Sequence, residues 1–149
     1  MFSKIAITAV AVPTLTLLSF FTSPTQAAQV LLSNQLELLD VDGHTNSNIL
    51  HSVELPKGSH VLVVRYRDLF SGVNADAPSI WVKSQPLFLQ VVIASEKITL
   101  APPPLDNEDE ANAYLKHPYL TLTPDKGANT KLSLLPMTSV ITNLLSAKD

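Results

Sequence analysis

Four histidines, thirteen Asp or Glu residues and no cysteine are the side chains from which this chain could build a reactive or metal-binding centre. The histidines are His44, His51, His60 and His117. No two of them stand at the helical spacing of a zinc pair, and there is no HExxH, so a zinc site of the usual kind has no scaffold. His51 and His60 flank a turn at Pro56 and would face each other across a hairpin, where a surface pair is the expected role. Asp40-Val41-Asp42-Gly43 opens like a calcium loop. Such a loop needs oxygen ligands at set intervals and a closing acid, and the next acid is Glu54. A tight Asp-Gly hairpin turn accounts for the same residues. No GxSxG elbow places a nucleophilic serine. No catalytic, cofactor-binding or metal-ligating residue is therefore assigned, and the chain is expected not to be an enzyme.

Two features remain as possible partner contacts. Glu108, Asp109 and Glu110, with Asp106, form an acidic cluster. Acids belong in the first turn of a helix, where the dipole favours them; the alternative is a contact for a basic partner. Among the aromatics, which are expected mainly in the core, Trp81 follows a long loop and is the best candidate for an exposed contact, although packing is the commoner fate of such a residue.

The rest of the chain must position these groups. It has 149 residues, with ten Lys or Arg against thirteen acids and a formal net charge of −3. Mild acidity argues against a nucleic-acid partner. Lys4, the uncharged apolar run Ile5 to Phe21, the break at Ser23-Pro24 and the small residues of Thr25-Gln26-Ala27 have the layout of a cleaved secretory leader. Residues 1–27 are thus expected to be a signal peptide and 28–149 a single β-rich domain, periplasmic or secreted. With no cysteine, neither lipid attachment at a thiol nor a disulfide framework is available. No second long apolar segment follows, so no transmembrane segment is expected after cleavage.

Glycines and prolines punctuate residues 28–149 and exclude long helices over most of it. Between them the runs read as strands: Gln29 to Leu32, Gln35 to Val41, Thr45 to Leu50, Ser52 to Leu55, Ser59 to Arg67, Ile80 to Lys83, Leu87 to Ala94, Lys97 to Ala101, Tyr119 to Thr123 and Thr130 to Leu135. In Ser59 to Arg67, Leu62, Val64 and Tyr66 line one face and Val61 and Val63 the other, as in a strand buried on both faces at its start and half exposed at its end. Residues 68–79 read as a loop. Asn107 to Leu115 is a short helix with Asp106 or Asn107 as its cap. Pro102 to Pro104 is a stiff connector that would set the C-terminal portion apart. Val140, Ile141, Leu144 and Leu145 fall at helical spacing after Thr138 or Ser139, predicting a C-terminal amphipathic helix packed on the sheet. The fold class is mainly β: a small antiparallel β-sandwich-like domain with one acidic helix and one C-terminal helix.

On this pattern the chain resembles the YccT-like curli synthesis inhibitor family of periplasmic proteins. The resemblance rests on an apolar strand ending in Asp42-Gly43, a polar stretch and "VELPKGSHVLVVRY". It rests also on "LFLQVVI" followed by "LAPPPLDNEDEANAYLKHPYLTL", in which Asn107, Glu108, Glu110 and Ala111 carry the acidic signature. The hairpin alone also resembles PEGA-type envelope modules. The first resemblance implies a non-catalytic binding or regulatory protein of the cell envelope, without cofactor, whose protein partner is an extracellular amyloid subunit. The second implies a structural module contacting peptidoglycan or a membrane complex. A hydrolase whose site leaves no trace in sequence is the third class; it would need a polar pocket holding a Ser, His or carboxylate constellation.

Overall fold

The computed structural model describes residues 26–45, 51–72, 74 and 76–147. All but the last residues of the expected leader, and most of the strand expected over 45–50, lie outside these residues. Alternation of apolar and polar side chains sets the architecture, because every second residue of a half-buried strand must face the core. The strands are β1 (Ala27–Leu32), β2 (Leu36–Val41), β3 (His44–Thr45), β4 (Ser52–Pro56), β5 (Gly58–Phe70), β6 (Ile80–Lys83), β7 (Leu87–Ile93), β8 (Lys97–Ala101), β9 (Tyr119–Pro124), β10 (Thr130–Ser133) and β11 (Leu135–Pro136). Two helices, α1 (Glu108–Tyr114) and α2 (Met137–Ser146), complete the described chain. Neither is long and apolar enough to cross a membrane.

The strands form two sheets. Sheet one has the order β10-β9-β8-β1-β4, and sheet two the order β11-β7-β5-β2-β3, with β6 also pairing with β5. All pairings are antiparallel except β1 with β8, which run parallel. The inward residues of the two sheets meet in one apolar core: Ala28, Val30 and Leu32 of β1, Ile98 and Leu100 of β8, Leu62 and Val64 of β5, and Leu87, Leu89, Val91 and Ile93 of β7. In β2, Leu36 and Leu38 point inward, and a register shift between Leu38 and Asp40 then lets Val41 pack against the same core. A bulge of this kind reverses which face the following residues occupy.

β5 is longer than its sequence pattern indicates and runs on to Phe70. Its first half pairs with β7 and its last residues, Arg67 to Phe70, with β6. The strand that faces it is broken at Ser84: Tyr66 N–H donates to Ser84 Oγ (2.9 Å), and Ser84 N–H donates to Tyr66 O (2.9 Å). Beyond this break Tyr66, Phe70 and Val82 leave the sandwich core and pack with Ala111 and Tyr114 of α1 in a second cluster. Tyr114 meets Tyr66 and Tyr119 edge to face at 5.5 and 5.8 Å, and its hydroxyl donates to Tyr119 O at 2.7 Å. Burial holds the Tyr66 and Tyr114 phenols well above the usual tyrosine pKa.

Three expectations need correction. The start of β5 is not buried on both faces: Val61 is 44% exposed, because none of the described elements covers the outer face of sheet two there. The proline run does not set the C-terminal portion apart, since β9 returns to pair with β8 and extends sheet one. Finally, α2 forms where expected but begins after Pro136 without a side-chain cap, and none of its residues is buried. Leu144 and Leu145 are 69% and 67% exposed, so the apolar face of α2 does not close on the sheet.

Candidate functional site

The hairpin turn at Asp42-Gly43 has both residues at positive φ, 51° and 83°. That is the twist-compatible two-residue turn which Asp-Gly favours. Its tightness places the Asp42 carboxylate against β5. Oδ1 accepts from Val61 N–H at 2.8 Å, and Oδ2 lies 2.6 Å from His60 Nδ1. The other imidazole nitrogen, Nε2, lies 2.8 Å from Pro56 O. A carboxylate and a carbonyl can only accept, so both contacts are hydrogen bonds in the imidazolium form of His60, which the two acceptors favour. The hydrogen bond to Asp42 raises the His60 pKa above its ordinary value, against the opposing effect of burial, and the Pro56 carbonyl adds to the rise. The bond to His60 first, and the bond from Val61 next, lower the Asp42 pKa. His60 is only 8% exposed and does not pair with His51 as a surface couple. It is a cross-link between the β2–β3 and β4–β5 turns.

Both outer strands of sheet one leave backbone groups unpaired among the described residues. Leu134 N–H donates to Pro118 O at 2.9 Å, which turns the even-numbered residues of β10 toward β9. By strand alternation the N–H and C=O groups of Lys131 and Ser133 point away from the sheet, and no described strand pairs with them. Beside this edge is a cleft of about 560 Å³ lined by Lys116, His117, Tyr119, Lys131, Leu135 and Pro136, among others. Lys131 Nζ lies 3.6 Å from the centre of the Tyr119 ring. At the opposite edge, Leu32 N–H donates to His51 O at 2.8 Å, so Ser52 and Glu54 of β4 present their backbone outward. There the edge ends at Pro56, which has no N–H and whose carbonyl is held by His60.

The residues singled out from the sequence are not brought together. Glu108, Asp109 and Glu110 form the first turn of α1. Asn107 Oδ1 accepts from Glu110 N–H (2.9 Å), and Glu110 Oε2 accepts from Asp106 N–H (2.9 Å). Glu110 is thus engaged on both its backbone and its side chain in closing the start of α1. Glu108 and Asp109, with Asn107, line a cleft of about 280 Å³ that Phe70, Pro78 and Ile80 complete. Trp81 lies on the other face of β6, because Ile80 and Val82 face α1 while Trp81 and Lys83 alternate outward. Trp81 is 49% exposed, with Arg67 and Lys83 beside its ring.

Sequence reasoning passed over Arg65, Arg67 and Glu37, which form an ion cluster on the outer face of sheet two. The signal was present in the two-residue spacing of the arginines, which puts both on one face of a strand. The Asp42–His60 contact carried no such signal, since 18 positions separate the partners.

A family model described as an uncharacterized protein conserved in bacteria, DUF2057, matches residues 29–145. Neither the curated proteins nor the solved structures provide a match.

Proposed function

The chain belongs to this DUF2057 family, and we propose that it is a non-catalytic periplasmic binding protein of the cell envelope that restrains amyloid assembly by capping a growing strand edge. The observation that carries this reading is the open edge of β10, whose outward backbone groups at Lys131 and Ser133 lie beside a cleft lined by Tyr119 and Leu135. An extended peptide can add to such an edge through main-chain hydrogen bonds, while alternate side chains enter the adjoining cleft. An amyloid subunit as the partner is what the resemblance carried by the YccT-like motifs noted above, including "VELPKGSHVLVVRY", implies. Lys131 on the edge opposes pairing between two copies of this chain in the register that sets the two lysines opposite each other. An incoming amyloid strand without a lysine at that register escapes the repulsion and, once bound, presents a partner that cannot propagate.

The test is fibril formation by a curli-type major subunit, followed by dye fluorescence with substoichiometric amounts of the purified protein. A lengthened lag is expected. Ser133→Pro removes an outward N–H without costing a bond to β9, so this variant should fold and lose the effect. Unchanged kinetics at equimolar protein, or full restraint by Ser133→Pro, would remove the mechanism.

A further inference from the structure

Sheet two carries on its outer face a cluster that neither the strand ladder nor the core explains. Arg65 and Arg67 emerge on one face of β5, with Glu37 of β2 opposite Arg65 and Lys83 of β6 opposite Arg67. Glu37 Oε1 accepts from Arg67 Nη1 at 3.1 Å, and Glu37 Oε2 lies 3.6 Å from Arg65 Nη1. One carboxylate therefore answers two guanidiniums and a nearby ammonium. The cluster is positive within a chain whose formal net charge is −3. The Arg67 guanidinium carbon is 4.1 Å from the centre of the Trp81 ring, and Lys83 Nζ is 5.8 Å from it. Arg67 and Trp81, with Asn34, Glu37 and His51, line a shallow cleft of about 220 Å³. Arg67 Nε–H has no hydrogen-bond partner among the described residues.

We propose that this cleft is a binding site for an acidic saccharide. The Arg67 guanidinium stacks over one face of the indole, yet Trp81 remains 49% exposed, and the C–H face of a pyranose ring is the natural complement of the apolar surface left uncovered. The guanidinium beside it, only partly neutralised by Glu37, is suited to a sugar carboxylate. The Asn34 amide, His51 imidazole and Glu37 carboxylate supply both donors and acceptors for hydroxyl groups, which need both. A simple anion would engage the cations and leave the exposed surface of the indole in water. A neutral sugar would use the indole and leave the cationic surplus unused. The site is independent of the amyloid reading, since the cleft lies beside β2, β5, β6 and the start of β4, and β4 and β10 are opposite edges of sheet one.

Trp81 is the single tryptophan of the chain, so its fluorescence reports on this cleft directly. The experiment titrates the purified protein with trigalacturonate, with maltotriose as the neutral control and inorganic phosphate as the anion control. The expected result is a saturable change in Trp81 emission with trigalacturonate, with an affinity roughly tenfold above that for maltotriose. Arg67→Gln should weaken binding by roughly a further tenfold. Lys83→Gln, which alters an exposed side chain, should weaken it less and guards against a folding defect in the first variant. No saturable change overturns the proposal, as does an equal response to maltotriose. Complete displacement by phosphate would identify a simple anion site and overturn it too, as would undiminished binding by both variants.

Discussion

The imidazolium at His60 makes a prediction whose sign is fixed by geometry. Because its folded pKa is raised, its contribution to stability is fully present below the unfolded value of about 6.5 and is lost as the pH rises through the folded value. Asp42 works the other way: its lowered pKa gives a contribution present above about 3.9 and lost as the pH falls through its folded value. The cross-link is therefore complete between these limits and weakens on the alkaline side. Tyr66 and Tyr114 do not obscure that limb below pH ~9, because burial pushes both phenols further up. Thermal unfolding followed by circular dichroism should show the melting temperature falling from pH ~6 to pH ~9. His60→Ala removes both bonds of a side chain that is 8% exposed. A cost of about 1–3 kcal/mol follows, or roughly 3–10 °C for a domain of this size. The Asp42 carboxylate is 43% exposed, and screening by water holds the figure toward the low end. Asp42→Asn is the sharper variant. Asn tolerates the positive φ of this turn, and its carbonyl can keep the bond from Val61. Its amide would then donate to Nδ1, leaving a neutral ring that still donates Nε2–H to Pro56. The alkaline slope should vanish in this variant while the fold persists. A melting temperature in the parent protein that is flat over this range would refute the imidazolium assignment, as would nitrogen chemical shifts of a neutral His60 ring at pH ~6.

Other predictions concern the parts of the fold that hold these surfaces in place. Leu62→Ala, at a fully buried site on β5 between β2 and β7, should cost about 2–5 kcal/mol in chemical denaturation, with little change in slope. Tyr114→Phe removes the bond to Tyr119 O and should cost about 1–2 kcal/mol in the same assay. Gly58→Ala meets no steric obstacle but must adopt φ near 137°, so it should cost about 1–3 kcal/mol through backbone strain alone. Deleting the chain after Pro136 removes a helix with no buried residue and should change the melting temperature by less than about 3 °C.

What was legible in the sequence was what depends on local pattern. Period-two alternation located β1, β4, β6, β7, β8 and β9 to within a residue or two of their ends. Asp42-Gly43 announced its turn because only a few residue types accept positive φ at both central positions. The capping of α1 was equally readable, since Asn107 and Glu110 are near neighbours. What escaped notice depends on which surfaces the layers leave uncovered. Val61 and Val63 resemble core residues in sequence, yet Val61 faces outward where no described element lies over sheet two. The apolar spacing in α2 correctly gave a helix but not a buried one, because periodicity describes a face without saying what will cover it. His60 looked like a surface residue because its burial depends on a turn brought over it from another hairpin.

β5 unites these observations. Over 13 residues it passes from the sandwich core, through Leu62 and Val64, to the cluster under α1, through Tyr66 and Phe70. The same pleat sends Arg65 and Arg67 outward beside Glu37. Its inward side chains are fixed by packing, so the backbone beneath the two arginines is held on both flanks, by β2 and by the broken strand of β6 and β7. A cleft built on such a strand loses little freedom when it binds, which favours affinity from few contacts. The β10 edge is different in kind. It ends a hairpin whose outer side pairs with no described strand, and its residues are mostly exposed. Recognition there must order both partners and will depend on the sum of main-chain bonds rather than on one anchored side chain. Substitutions in the cleft should therefore act singly and strongly, whereas single side-chain changes along β10 should act weakly unless, as with Ser133→Pro, they remove a backbone donor.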